Sequence, residues 1–448
     1  MKHTFLIKTL ILLILPLIVN AQQDSIMSLT VSQAMEHATK FNTNAQNARL
    51  DVTIAEKKVW ETTSIGLPQV SASGSYYNNL SLATQLIPAE FFGGEPGTFA
   101  EVQFGTKHNF NGTLSVSQLI FNGSYLVGLQ AAKVYKSLSE KSLVKTEAEI
   151  KANTANTYYT ILMAEQNYKI LQENLVNMKD LYRQTKAMAE TGFVEETEAD
   201  KLKITVSSLE NTTNSLQRQI DYLYLLFKIV LNVDKETQIA LTENLDQVLL
   251  EINIDELLKK EFELEAHPDY QLIKVQEDLM ALDVKRYKSE YLPSLSAFYN
   301  FQENAMRNEF NPLSGDEKWF ESSMLGFQID IPIFNSGQKR SKVQQARLEL
   351  EKVTNSKNTL ESTLYSLLLQ KRNEFLTAQE NLKNSSENME TSKKVLNHVI
   401  IKHQKGVASS MELTQANQDF LSTVSNHTQA IVDLLNAKIE LQKILNEL

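Results

Sequence analysis

Cysteine is absent from all 448 residues of the sequence. This absence excludes disulfide bonds, thiolate metal sites, a cysteine nucleophile and lipid attachment to an N-terminal cysteine. A basic excess is also lacking, because 44 Lys and Arg stand against 54 Asp and Glu, whereas binding of nucleic acid needs a concentrated basic surface. Glycine-rich phosphate loops, nucleophile motifs and histidines at metal-ligand spacing are missing too. We therefore expect no enzyme activity, no cofactor, no metal and no nucleic-acid partner.

Long apolar runs are lacking except at the N-terminus, where one covers residues 5–19 and is interrupted near its start by Lys8. Lys2 precedes this run, and short side chains follow it up to Ala21, which is the pattern of an export signal cleaved between Ala21 and Gln22. A transmembrane anchor is the alternative, but the run is shorter than the roughly 20 residues of a spanning helix. We predict a signal peptide over 1–21. An exported chain without a spanning helix is either soluble or embedded in a membrane through β-strands.

Glycine and proline are absent from residues 129–191 and 338–405, so both stretches can be helical without interruption. At about 1.5 Å per residue each helix would be close to 100 Å long, which no small globular core can enclose. Apolar residues recur at alternating spacings of three and four, as in a coiled coil. The seam of the first stretch consists of Ile161, Ala164, Tyr168, Leu171, Leu175, Met178 and Tyr182. Long helices are predicted over about 124–191, 195–232, 337–404 and 410–447.

Between the helices the apolar period changes to two, which indicates β-strands with two different faces. In one of them Leu114 and Val116 alternate with Ser115 and Ser117. Few charges and many aromatic residues suit a lipid-facing surface, although a half-buried soluble sheet shows the same alternation. Strands are predicted over about 68–80, 104–121, 293–303 and 319–334. The aromatic residues expected to form a girdle at the membrane interface are Phe99, Phe104, Trp319 and Phe320.

The chain is an internal repeat. Phe121 precedes Gly192 by 71 residues, and Phe334 precedes Gly406 by 72 residues. Both halves read helix, strand, loop, strand, long helix, tight turn, helix, and the first half has a longer loop that contains residues 91–97. We predict a first repeat over 22–233, an acidic connector or equatorial region over 234–266 and a second repeat over 267–448.

Helix and strand meet at matching positions of the two repeats. Leu67-Pro68 recurs as Leu292-Pro293, and proline disfavours helix in the residue before it, so Pro68 and Pro293 mark the change from helix to strand. Phe121 and Gly123 recur as Phe334 and Gly337. These residues mark the change from strand back to helix, where an asparagine side chain can cap the next helix.

The repeated pattern resembles the outer-membrane efflux protein family of TolC-like channels. The resemblance is strongest in the run Ile331-Pro332-Ile333-Phe334-Asn335-Ser336-Gly337-Gln338-Lys339-Arg340, followed by Gln345-Ala346-Arg347-Leu348-Glu349. It implies a mainly helical homotrimer in the outer membrane, in which each subunit contributes four strands to one 12-stranded β-barrel and its helices to a periplasmic α-helical tunnel. Four amphipathic strands cannot close a barrel alone, which independently requires several copies in contact with outer-membrane lipid.

By this resemblance the protein is a passive exit duct with porin activity in a tripartite efflux system. A periplasmic adaptor (a membrane fusion protein) would connect it to an inner-membrane pump that supplies the energy. An exit duct for type I protein secretion is an alternative, because the conduit is shared and the pump selects the cargo. An exported soluble coiled-coil scaffold without a pore is an alternative of another class.

The resemblance also places the adaptor contacts at the two turns opposite the barrel. Those residues are Gly192, Phe193 and Val194 in the first repeat and Gly406, Val407 and Ala408 in the second. Glycine at a helix end has a simpler reason as well, since it adopts a left-handed conformation. Glu198 and Glu412 are candidates for an acidic gate, which a threefold assembly would turn into rings of like charge. They could equally serve only to stabilise helix N-termini.

Overall fold

The computed structural model describes residues 26–250, 254–311 and 318–448, with side chains described at all of these positions except Asp246, Ile254 and Asp255. The predicted signal peptide over 1–21 and its cleavage site between Ala21 and Gln22 lie outside the described residues.

Helices make up most of the described chain. They are α1 (Val31–Phe41), α2 (Thr43–Ser64), α3 (Gly123–Glu190), α4 (Glu196–Leu231), α5 (Leu245–Leu250), α6 (Ile254–Lys259), α7 (Pro268–Ser289), α8 (Gln338–Gln404) and α9 (Ser410–Ile444). Helices α3 and α8 have 68 and 67 residues. They cover the two stretches without glycine and proline, where nothing in the sequence breaks a helix.

The strands are β1 (Met27–Leu29), β2 (Gln69–Asn78), β3 (Thr84–Pro88), β4 (Phe99–Gln103), β5 (His108–Phe121), β6 (Ile239–Leu241), β7 (Ser294–Arg307) and β8 (Phe320–Asp330). Four of them form an antiparallel sheet in the order β2-β5-β7-β8. Strands β3 and β4 form a separate antiparallel hairpin, and β1 pairs with β6 in parallel.

The described chain divides into two compact units. The first unit comprises the described parts of Met1–Asn42, Lys151–Asn253 and Leu376–Ile439, and the second comprises those of Thr43–Ile150, Ile254–Phe375 and Glu440–Leu448.

The core of the first unit lies among α3, α4, α8 and α9. Met178 of α3, Leu202 of α4, Val399 of α8 and Leu413 of α9 meet in one apolar cluster, and all four are at least nine-tenths buried. Burying one such side chain contributes about 1.5–3 kcal/mol to stability. Every residue of the seam over 161–182 is buried or half-buried, so the spacing of three and four identifies the packed face of α3.

The segment over 234–266, predicted as an acidic connector or equatorial region, contains strand β6 and the short helices α5 and α6 in its described part. Strand β6 pairs with β1 at the start of the described chain, and the Tyr158 hydroxyl of α3 donates a hydrogen bond to the Leu29 carbonyl of β1 over 3.0 Å. A strand of three residues is too short to show a period of two in the sequence. Its partner strand lies about 200 residues away, so neighbouring residues do not reveal the pairing either.

The second unit contains the four-stranded sheet, the β3–β4 hairpin and helices α2 and α7. Pro68 lies between α2 and β2, and Pro293 lies between α7 and β7. Phe121 is the last residue of β5, whereas Phe334 lies beyond the end of β8 and is 86% exposed.

Gly123 and Gly337 occupy matching positions of the repeat for different physical reasons. A Cβ atom on Gly123 would lie 3.0 Å from side-chain atoms of Leu292 and Ser289, so α3 starts in close contact with the end of α7. Gly337 instead has a left-handed φ of 82°, and no atom lies within 4 Å of an added Cβ. The Asn122 side chain accepts a hydrogen bond from the Tyr125 amide over 3.0 Å and thereby caps α3.

Candidate functional site

Each pair of long helices in the first unit is joined by a five-residue turn. The first tip turn, residues 191–195, joins α3 to α4, and the second tip turn, residues 405–409, joins α8 to α9. Gly192 and Gly406 have left-handed φ angles of 78° and 74°. No atom lies within 4 Å of a Cβ added to either residue. The backbone conformation, and not a lack of space, therefore favours glycine at these two positions.

The two tip turns use the same helix-ending motif. The Gly192 amide donates to the Ala189 carbonyl over 3.0 Å, and the Phe193 amide donates to the Met188 carbonyl over 2.9 Å. In the second tip turn the Gly406 and Val407 amides donate to the carbonyls of His403 and Lys402, both over 2.9 Å. This is the Schellman pattern, which satisfies carbonyls at a helix end and reverses the chain.

Apolar side chains project from both tip turns. Phe193 is 84% exposed and Val407 is 75% exposed, although such side chains are normally covered in a folded protein. Val194 is half-buried and Ala408 is buried. The six residues predicted as adaptor contacts thus divide into two exposed side chains, two that anchor the turns, and the glycines that permit them.

Glu198 connects the two tip turns. Its Oε2 atom accepts a hydrogen bond from the amide of Ser410, the first residue of α9, over 2.6 Å. Its Oε1 atom lies 2.7 Å from the Lys201 ammonium group, and 21% of the Glu198 side chain is exposed. The ammonium of Lys201 and the amide of Ser410 lower the pKa of the carboxyl group to about 2. Glu198 therefore acts as a charged cap that α4 supplies to the N-terminus of α9.

Glu412 has different surroundings. Its side chain is exposed, and its amide donates to the Ser409 hydroxyl over 3.2 Å, so Ser409 caps the same helix. Gln415, one turn later, donates to the Asp419 carboxylate over 2.8 Å. The two candidate gate acids therefore differ, because Glu198 is held by contacts within the chain while Glu412 faces solvent.

His403 is a component of the tip that the sequence did not reveal. It is 7% exposed, and its Nε2 atom lies 3.2 Å from the Ser410 hydroxyl. Burial lowers the pKa of the imidazole, while the nearby Glu198 carboxylate partly opposes this shift. Both tip turns line a cavity of about 340 Å³ at this point, with walls that include Thr185, Met188, Val194, Glu198, His403 and Val407.

Helix α9 makes polar contacts with each of the other three long helices. Asn174 of α3 donates to Asn417 over 2.7 Å, and both side chains are buried. The Thr414 hydroxyl lies 3.1 Å from that of Thr205 on α4. The Thr423 hydroxyl lies 2.5 Å from that of Ser392 on α8. A polar side chain that is shielded from water loses stability when its hydrogen-bond partner is displaced. These pairs therefore fix the axial position of α9 relative to its three neighbours.

The four-stranded sheet of the second unit has one apolar face and one polar face. Its register aligns Val70, Val116, Tyr299 and Leu325 in one row across the four strands. On the opposite face it aligns Ser73, Thr113, Gln302 and Ser322. The apolar row is open to the surroundings, with Leu325 73% and its neighbour Phe327 72% exposed. A sheet in water normally covers its apolar face, so this face is adapted to an apolar environment.

The two edge strands of this sheet are long and open. Every residue of β2 is exposed, and every residue of β8 except Gly326 is exposed. Across the described ranges no further strand pairs with the outer edge of either one. Unpaired edges of 10 and 11 residues expose rows of backbone donors and acceptors, which water-soluble proteins avoid.

No helix in the described part of the chain is both long enough and apolar enough to cross a membrane. Within the same residues, His, Asp and Glu side chains form no cluster of three that could hold a metal ion.

Several solved structures have a similar fold. CusC, which forms a transmembrane channel, gives a TM-score of 0.71 at 16% identity, covering 93% of this chain and 91% of CusC. The CmeC outer membrane channel of Campylobacter jejuni gives 0.69 at 18% identity, covering 93% of this chain and 85% of CmeC. The outer membrane protein VceC of Vibrio cholerae gives 0.71 at 13% identity, covering 93% and 95%.

No curated protein matches the sequence. The family described as outer membrane efflux protein matches it over residues 35–222 and 263–447. This match spans both repeats and well over half of the sequence, so the chain belongs to the outer membrane efflux protein family and is an efflux duct of the outer membrane.

Proposed function

We propose that this protein is the passive exit duct of a tripartite efflux system. Three copies close a 12-stranded β-barrel in the outer membrane, and their long helices form a tunnel in the periplasm. A periplasmic adaptor binds the tip turns and connects the duct to an inner-membrane pump, which supplies the energy for transport.

The observation that carries this proposal is the four-stranded sheet with an exposed apolar face and two open edges. In lipid every backbone donor and acceptor must be paired within the protein. Pairing β8 of one copy with β2 of the next satisfies both edges, because these strands also run antiparallel to each other. Strands of 10 to 14 residues match the roughly 9–11 residues that a tilted transmembrane β-strand needs.

The number of copies follows from the strand count. Two copies would contribute eight strands, and the interior of an eight-stranded barrel is filled by side chains. Three copies contribute twelve strands, which leaves an open lumen lined by the polar rows of the sheet. A passive duct requires such a lumen.

The exposed Phe193 and Val407 side chains support the adaptor contact. They project from two turns that share the Schellman hydrogen bonds, and aromatic and aliphatic side chains held out at such turns offer apolar contacts to a partner protein. The adaptor would therefore bind through matching apolar residues of its own.

The test places one lysine on each face of β8. Phe327 belongs to the apolar face, and its neighbour Gln328 belongs to the polar face. Phe327→Lys should reduce the amount of trimer in salt-washed outer membranes at least tenfold, because a lysine on a lipid face costs about 2–4 kcal/mol. Gln328→Lys is the matched control. It should assemble normally and shift planar-bilayer conductance towards anions.

Equal assembly of both variants would show that the apolar face does not contact lipid. A wild-type protein that light scattering identifies as a soluble monomer would remove the duct altogether and favour a scaffold.

A further inference from the structure

The β3–β4 hairpin of the second unit presents a large apolar surface. Leu86 is 63% exposed, Phe91 79%, Phe92 66% and Phe99 64%. We call these four residues the hairpin surface. Phe99 lies directly across from Pro88, and Pro88 is two residues after Leu86 on the same strand. Leu86 and Phe99 therefore lie on the same face of the hairpin. Two strands alone have no second layer that could cover this face, and exposed apolar clusters of this size mark interaction sites.

The tip of the hairpin is an ordered turn that displays Phe91 and Phe92. These residues lie in a helical turn over Ala89–Phe92. The Ala89 amide donates to the Thr98 carbonyl over 2.9 Å, and the Glu90 carboxylate accepts from the Gly97 amide over 3.0 Å. The two phenylalanines are therefore held outward by the hydrogen bonds of the turn.

The charge of the hairpin limits what can cover this surface. Within residues 79–106 the only charged side chains are Glu90, Glu95 and Glu101. Phosphate groups of lipids would be repelled by three carboxylates. The preferred occupant is an apolar, aromatic surface next to a basic side chain.

The topology of the sheet places such a surface beside the hairpin. Strand β2 ends at Asn78, just before the hairpin, and β8 begins at Phe320. The register brings Asn78 in line with Arg307 of β7 and Phe320 in line with Asn304 of β7, so both lie near the same end of the sheet but on opposite edges, three strand spacings apart. If β8 pairs with β2 of the next copy, as the proposed function requires, the hairpin adjoins the start of the neighbouring β8.

The residues at the start of β8 have the required chemistry. Trp319 is 42% exposed and Phe320 is 57% exposed, and Lys318 is also exposed. Aromatic side chains pack favourably against one another, and the lysine complements the three carboxylates of the hairpin. A girdle role for Phe99, expected from the sequence, would instead leave the acids of the hairpin near lipid phosphates.

We propose that the β3–β4 hairpin binds the next copy of this chain, with the hairpin surface packed against Trp319 and Phe320 of that copy. The hairpin thereby holds neighbouring subunits together at the end of the sheet where β2 ends. This inference rests on the proposed function, because it requires β2 and β8 of different copies to adjoin.

Cross-linking tests the contact directly. Because the chain has no cysteine of its own, a thiol-reactive reagent can link only the cysteines that are introduced. The double variant Phe99→Cys with Trp319→Cys, treated with a short bismaleimide in outer membranes, should yield covalent dimers and trimers in denaturing gels. Phe193→Cys with Trp319→Cys is the matched control and should yield none. Trimeric protein that cross-links only within single chains, or not at all, would overturn the hairpin contact while leaving the duct intact. Monomeric wild-type protein would overturn both.

A second variant measures the strength of the contact. Phe91→Ser with Phe92→Ser should make the purified trimer dissociate about tenfold faster or more, as expected when aromatic residues at the centre of an interface are removed. Phe91→Leu with Phe92→Leu is the matched control, because it keeps apolar side chains on the tip of the hairpin and should slow dissociation back towards the wild-type rate. Unchanged dissociation of the hairpin variant would contradict the proposal. Strong relaxation enhancement of a nitroxide at residue 91 by oxygen dissolved in the lipid would also contradict it and would indicate a lipid contact.

Discussion

Removing the Glu198 carboxylate should loosen the start of α9 without unfolding the protein. The Ser410 amide lies in the first turn of α9, where no carbonyl of the helix can accept its hydrogen bond. Its acceptor is Glu198 at 2.6 Å. Glu198→Ala therefore leaves a helix N-terminus without a partner and takes a negative charge away from the positive end of the helix dipole.

The size of the effect follows from the surroundings of the carboxylate. A pKa lowered from its ordinary value near 4.5 to about 2 would correspond to at most roughly 3.4 kcal/mol, at 1.36 kcal/mol per pKa unit. The side chain is 21% exposed, and solvent screens part of this interaction. We therefore expect about 2 kcal/mol, within the usual range for a hydrogen bond to a charged group.

Because the folded state lowers this pKa, the stabilisation is present above about pH 4.5 and is lost as the pH falls towards 2. Between pH 7 and 8, where the neighbouring His403 stays neutral, the effect of Glu198→Ala should thus be constant. About 2 kcal/mol corresponds to roughly 30-fold faster hydrogen exchange of the Ser410 amide, which can be measured by mass spectrometry. Glu198→Gln keeps an acceptor and should have a smaller effect.

Glu196→Ala is the control, because Glu196 lies in the same helical turn but is exposed. Equal changes in exchange at Ser410 for Glu198→Ala and Glu196→Ala would refute the role of Glu198 as a cap for α9.

Three other predictions concern the tip turns. Gly406→Val should abolish export while the trimer persists, and Gly406→Asn should retain export, because asparagine tolerates the left-handed φ of 74° and valine does not. Equal export of the same substrate by cells carrying either variant would contradict this. Since burial lowers the pKa of His403, its neutral form stabilises the second tip turn above about pH 6.5, and protection from exchange there should fall as the pH drops below that value. His403→Gln should remove this pH dependence, and an unchanged profile would exclude His403 as its source. Glu412→Gln should weaken the block of conductance by multivalent cations on the periplasmic side; wild-type block in this variant would limit Glu412 to stabilising α9.

The local patterns in the sequence were sufficient to predict most of the secondary structure. A run without glycine or proline leaves a helix unbroken, and alternation in Leu114 to Ser117 indicates a strand, because both signals depend only on neighbouring residues. The repeat added the matching positions of Gly192 and Gly406. Their left-handed conformation follows from the lack of a Cβ atom, which is a property of the residue itself.

Contacts between distant residues could not be predicted in this way. Glu198 looked like one of several acids at a helix start, and only the folded chain shows that it lies opposite the amide of Ser410, 212 positions away. His403 gave no signal at all, because its burial and its closeness to Ser410 and Glu198 arise only when the chain folds.

The sequence by itself therefore determined the helices, the two-faced strands and the turns, since each arises from interactions within a few residues. The tertiary structure alone decided which edges of the sheet remain open, which partners α9 finds and where the hairpin of β3 and β4 presents its phenylalanines. Those features depend on the register between segments far apart in the chain, and burial and hydrogen-bond pairing fix that register only when the segments meet.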